Sequence, residues 1–350
     1  MFTNDSILLR EYFLDRITLK NSTELQKLYN HFQSIKLTKI NVNKSQTITK
    51  SEKIEINSDF GPERILQKTY ILKKSSIEFT MHKTKFSINL YDYKDIKKET
   101  IQIIMEFIQF VYSLSPSNIP ELILNIYLLD EKKKIKYGMQ ELTKEEINSG
   151  SCRVSNPTII TIYRREELLK VIIHELIHAF RYDNYEDTDQ IIKHYRKKYN
   201  LSSTHIHTNE AYTELWANLI NCYLISQKIG RDQYNLFLIL IALEKEFVSF
   251  QAHKIFYVTK MNDKKIDINK YTNVLSYFII RNELYNRLNP FLKFCNQQNE
   301  NYIKLTNQKG WFEFLKNNRK IIKNNRRFNT INKKDHLFIT MRMTINEIYV

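Results

Sequence analysis

His174 and His178 stand four residues apart in the run Val171-Ile172-Ile173-His174-Glu175-Leu176-Ile177-His178-Ala179-Phe180. At about 3.6 residues per helical turn, that spacing puts both imidazoles on one face, one above the other. Two neutral imidazoles so placed can share one Zn²⁺ at ~2.0–2.1 Å. Glu175, beside them, is near enough to take a proton from water that such an ion activates. Leu168, Val171, Ile172, Leu176 and Phe180 offer the apolar surface that packs the rest of the helix. The same pentapeptide also suits a helix with two partly buried, hydrogen-bonded histidines. A third ligand elsewhere in the chain is what favours the metal.

Thr208-Asn209-Glu210-Ala211-Tyr212-Thr213-Glu214-Leu215-Trp216-Ala217-Asn218 reads as a second helix, with Ala211, Leu215 and Leu219 as its apolar stripe. Glu210 and Glu214 share a face at i, i+4. Two like charges so placed repel slightly, and a nearby cation reverses that cost. The plainer alternative is a solvated acidic face, although the apolar neighbours disfavour full exposure.

With both helices in view, the chain resembles the gluzincin metallopeptidases typified by thermolysin. In that class one helix carries His-Glu-x-x-His and a second carries Asn-Glu-x-x-x-Asp/Glu. Asn209-Glu210-Ala211-Tyr212-Thr213-Glu214 matches the second pattern. The resemblance implies His174, His178 and Glu210 as zinc ligands, Glu175 as the proton acceptor, and Glu214 as a partner that orients His174. Metal-bound histidines commonly donate their other N–H to a carboxylate. The longer metzincin motif needs Gly and His where this chain has Arg181 and Asn184. Asp183, Asp187 and Asp189 belong to no matching motif, and His205 and His207 remain a lesser metal-binding option.

A chain of 350 residues with 42% hydrophobic content holds one large domain or two small ones with a sizeable core. Lys and Arg total 54 against 38 acids, a net charge of +16. That excess allows weak, unspecific binding to polyanions, but the lysines are spread out and compositional bias explains them as well. No recognisable nucleic-acid module accompanies the charge. Cys152, Cys222 and Cys295 lie far apart, which argues against a disulfide framework and for a reducing, intracellular compartment. No signal peptide and no apolar run long enough for a membrane span is expected. Five glycines leave no glycine-rich phosphate loop.

In chain order, helices are expected over 1–40 and a polar loop over 41–66. Alternation at Tyr70, Leu72, Ile77, Phe79, Met81, Phe86, Ile88 and Leu90 predicts strands in a meander or hairpin. A helix over 94–114, a strand over 122–128 and a strand over 157–164 follow. The last leads into the His174 helix. In gluzincins an edge strand above the zinc binds the peptide, and Thr158, Ile159, Ile160, Thr161 and Ile162 are the candidates for that role. Such an edge would hold substrate by main-chain hydrogen bonds. Beyond Gly230 the pattern is helical, with a basic run from Lys316 to Arg327 that could touch phosphates or form a solvated face.

A narrower resemblance rests on Asn148-Ser149-Gly150, a strand ending in Arg164, the zinc helix, Glu210-Ala211-Tyr212-Thr213-Glu214-Leu215-Trp216-Ala217, Asn273-Val274-Leu275-Ser276-Tyr277 and Met341-Arg342-Met343. Together these look like an uncharacterised metallopeptidase-like family of large DNA viruses, over about residues 70 to 350. That likeness implies a host cytoplasm or virion setting. The expected organisation is an α+β, zincin-like protein. Residues 1–66 form an extension, 67–230 a core and 231–350 a helical subdomain. The expected activity is zinc-dependent hydrolysis of polypeptide substrates. The alternatives are an inactive zincin-fold structural or virion protein, and a basic nucleic-acid-binding protein. The oxyanion donor is open among Tyr212, His253, Tyr277, His336 and Arg342.

Overall fold

Strand-period alternation from Tyr70 to Leu90 becomes a hairpin in the computed structural model. It consists of β2 (Thr69–Met81) and β3 (Thr84–Asp92), with β1 (Asn41–Glu55) paired to the outer side of β2. The structure describes all residues except 59, 137, 262–266, 322–327 and 329–330, and backbone alone at 44 and 46–50. The expected loop over 41–66 is thus largely strand. β1 lies at the sheet's edge and carries few apolar residues, so it shows no strand-period signal. Its backbone pairing with β2 holds it in place.

The sheet is mixed, in the order β1-β2-β3-β4-β6-β5, with β4 at Glu121–Tyr127, β5 at Gly150–Arg153 and β6 at Thr158–Ile162. β3, β4 and β6 run parallel, while β5 is antiparallel to β6. Ile77, Phe79, Phe86, Ile88, Leu122, Leu124, Ile160 and Ile162 are buried. Helix α4 (Lys98–Leu114) covers the hairpin, its Tyr112 ring edge-on to Phe86 at 5.5 Å and its hydroxyl donating to the Met81 carbonyl. A smaller apolar cluster unites Ile56, Ile65, Tyr70, Leu72, Tyr91, Tyr127, Leu129 and Tyr163. By strand alternation it lies on the other face.

The chain forms two compact units. One comprises residues 1–32, 133–147 and 183–349; the other comprises 33–132, 148–182 and 350. This differs from the expected three-part division. β1 draws residues beyond 40 into the sheet unit, and the two motif helices fall in different units. The sheet unit adds helix α6 (Leu168–Ala179), packed on α4, β5 and β6. The other unit is helical, built on α8 (Thr208–Ile229) and α9 (Gln233–Thr259). A π-helical segment, Leu275–Ile280, runs into α10 (Arg281–Asn286), and both pack on α8.

The C-terminal segment is laced into the helical unit by buried side chains. Arg281 donates to the Met343 carbonyl at 2.6 Å, Gln251 to that of Arg342 at 2.7 Å and Asn221 to that of Asn346 at 2.9 Å. An irregular buried backbone needs such partners, since each orphaned carbonyl carries a desolvation cost. Of the basic run, residues 322–327 lie outside those described. Among the described residues no helix is long and apolar enough to cross a membrane.

Candidate metal centre

Within the sheet unit, α6 presents His174 and His178 with their Nε2 atoms 3.0 Å apart, ring centroids 4.7 Å apart and ring planes at 77°. A tetrahedral ion with ligands at ~2.0–2.1 Å would hold two nitrogens roughly 3.3 Å apart. The pair therefore fits a shared ion with little adjustment. It also fits one imidazole donating to the other, which is the plainer reading of the same contact. His174 is 6% exposed and His178 half-buried.

The ends of α6 explain why this face is held still. On the N-terminal side Arg165 makes hydrogen bonds at 2.9 and 2.8 Å to the two carboxylate oxygens of Asp92, and donates to the Leu128 carbonyl. Charge-assisted contacts of this kind are short and directional. The chain then turns through Glu167 in the left-handed region, at φ 62°. On the C-terminal side Tyr182 donates to the carbonyls of Val111 and Ser115, tying the helix exit to α4.

Glu175 is 6% exposed and lies against β5. A Cβ at Gly150 would sit 2.8 Å from Glu175 Oε1 and 3.0 Å from Val171 Cγ1. A side chain at position 150 would therefore require the Glu175 carboxylate to shift. Gly150→Ala is expected to push the Glu175 carboxylate aside. Any reaction that depends on Glu175 would then slow by up to roughly 10²-fold, the cost that ~1 Å of misplacement can carry. Kinetics of the variant beside its metal content check this, with content expected to be unchanged.

In the helical unit, Glu210 stands in the first turn of α8 and accepts a hydrogen bond from Asn273 Nδ2 at 3.2 Å. Ligating carboxylates are commonly oriented by such donors. The start of α8 is fixed by two aspartates. Asp187 accepts from Thr208 N at 2.5 Å and Thr208 Oγ1 at 2.6 Å, and Asp183 accepts from Asn209 at 3.3 Å and Thr213 at 2.9 Å. Burial raises the Asp187 pKa, and the Thr208 donors oppose that rise. These aspartates cap the helix that carries Glu210. His205 and His207 precede it as exposed loop residues.

Glu214, one turn further, pairs with Arg281 at 3.1 Å, both side chains almost fully buried. Arg281 also reaches Asn218 Oδ1 at 3.2 Å. The acids' partners thus flank the π-helical segment, Asn273 before it and Arg281 just after. π-helical turns often occur at functional sites.

Two expectations need correction. Thr158–Ile162 is not an edge strand: β6 is paired to β4 on one side and β5 on the other, so its backbone has no open side for a substrate. The strand that ends the sheet there is β5. Its Gly-Ser-Cys-Arg sequence lacks the β-branched residues that mark a strand, which is why it was missed. Two oxyanion candidates are also removed. Tyr212 is wholly buried and donates to the Ile303 carbonyl, and Arg342 is wholly buried and pairs with Glu347 at 2.8 Å. His253 Nδ1 contacts the Ser249 carbonyl of its own helix at 2.7 Å, and His336 Nε2 lies 3.7 Å from Asp5. Tyr277 lies in the π-helical segment, half-buried, its N–H donating to the Asn273 carbonyl.

Asn273, Arg281, Gly150 and Asp187 are the site residues that sequence reasoning did not assign a role. Compared with known proteins, the chain matches no family model, no curated protein and no solved structure.

Proposed function

We propose that the chain is a zinc-dependent peptidase with a zincin-like fold, and that His174, His178 and Glu210 hold the ion. The observation that carries this reading is the pair of α6 imidazoles with ring nitrogens 3.0 Å apart, Glu175 following His174 in the same turn. Glu210 joins them in this proposal as the ligand that the resemblance to the gluzincin pattern implies. Two imidazoles and one carboxylate form a donor set suited to zinc with a position left for water or substrate. When bound, zinc would supply Lewis acidity toward water and the scissile carbonyl.

The chain's own residues do the rest. Glu175 accepts the proton of the attacking water and returns it to the leaving amine. Gly150 lets β5 lie against that carboxylate. As the last strand of the sheet, β5 takes over from 158–162 as the proposed strand on which an extended peptide is added. Asn273 orients Glu210. The α6 ends, pinned through Asp92 and Tyr182, keep the two imidazoles in register.

The test is metal-dependent cleavage of a mixed peptide library. Purified protein is expected to carry about one equivalent of zinc, to lose cleavage on chelation and to regain it when zinc is returned. Full zinc content with no cleavage of any library member would favour the inactive structural relative. Protein without zinc that takes none up would favour the hydrogen-bonded histidine pair.

A further inference from the structure

Across the sheet, one register row is polar from β2 to β5: Ser76, Asn89, Asn125, Thr161 and Ser151 are successive neighbours. The row is wired in one direction. Ser76 Oγ donates to Asn89 Oδ1 at 2.8 Å, and Asn89 Nδ2 donates to Asn125 Oδ1 at 3.0 Å. Asn125, whose oxygen accepts there, carries an amide N–H₂ that can donate. At the far end Ser151 Oγ and Ser58 Oγ lie 2.9 Å apart. Two hydroxyls that share one hydrogen bond keep one O–H to donate.

The row ends in a groove of about 430 Å³, lined among others by Asn125, Thr161, Ser58, Ser151 and Arg153. That volume lies in the range of small-ligand sites, roughly 300–1,000 Å³. Thr161 is only 7% exposed and is one of the hydroxyl-bearing residues that line the groove. Among the described lining residues none is acidic, and Arg153 adds a positive charge. The wall is therefore rich in donors and fits an acceptor.

We propose that this groove is a carboxylate-binding subsite that receives an acidic side chain of a peptide substrate. Naming the occupant as a substrate side chain rests on the peptidase reading; the preference for a carboxylate does not. The link between the two is β5. Alternate residues of a strand point to opposite faces, so a peptide added at β5 sends every second side chain over the face that holds the groove. Thr161 and Ile159, expected to hold substrate through their backbone, line the groove instead.

The experiment measures fluorescence anisotropy of labelled, end-blocked hexapeptides carrying Glu, Gln or Lys at one position in turn, bound to the Glu175→Gln protein so that nothing is cleaved. At one position Glu is expected to bind roughly tenfold tighter than Lys, the worth of one charge-assisted hydrogen bond, with Gln between. Thr161→Val should weaken that preference, Thr161→Ser should keep it, and Asn125→Asp should turn it toward Lys. Thermal unfolding of each variant checks that the sheet is intact. Equal affinity for the three peptides, or a Glu preference indifferent to both Thr161→Val and Asn125→Asp, overturns the subsite. Wild-type cleavage with no acidic preference would overturn the subsite and leave the peptidase reading standing. Glu-dependent binding by a wild-type protein that cleaves nothing would do the reverse.

Discussion

Glu175→Gln is expected to lower peptide hydrolysis by ~10²–10⁴-fold, the usual worth of one positioned proton-transfer group. Zinc content should not change. The amide is isosteric with the carboxylate and keeps its place beside Gly150 of β5. It removes only the ability to accept a proton. Parallel measurement of metal content and turnover separates this role from a ligand role. If Glu175→Gln loses its zinc, the residue is a ligand and the site has been drawn wrongly. If it keeps both zinc and activity, the proton acceptor lies elsewhere. Thermal unfolding of the variant, measured beside its metal content, checks that the fold is intact.

Removal of either imidazole should abolish stoichiometric zinc. His174→Ala and His178→Ala each leave one helix-borne nitrogen, and a single imidazole holds zinc far more weakly than a chelating pair. Elemental analysis after dialysis gives the result directly, and retention of a full equivalent by His178→Ala would sink the site. The two acids should behave differently from each other. Glu210→Gln is expected to lose zinc with little loss of stability, since its Asn273 contact survives in the amide. Glu214→Gln leaves Arg281 buried without its counter-charge. Breaking one partner of a buried pair costs ~3–5 kcal/mol, so its unfolding temperature should fall. If Glu214 also orients His174, its zinc affinity should fall by roughly 10–100-fold as well. The reverse pattern, with zinc lost only from Glu214→Gln, would move the ligand one turn along α8.

Some of this site was legible from residue spacing alone. The pairs His174/His178 and Glu210/Glu214 each lie one helical turn apart, and a turn is closed by local hydrogen bonds, so spacing determines a shared face. The hairpin from Thr69 to Asp92 was legible for the same reason, since its alternation and its short connection are both local. The strand β1 was not, because a polar edge strand is held by backbone pairing rather than by an apolar face. The position of 158–162 inside the sheet was not either. A run of Thr and Ile reads as a strand, but whether its two sides are paired depends on β4 and β5, which reach it from other parts of the chain. Asn273 at Glu210, Arg281 at Glu214 and the close pass of Gly150 at Glu175 are likewise contacts between distant segments. Helical periodicity is a property of neighbours in sequence, and it chose which residues could act. The partners that orient them are neighbours only after the chain has packed.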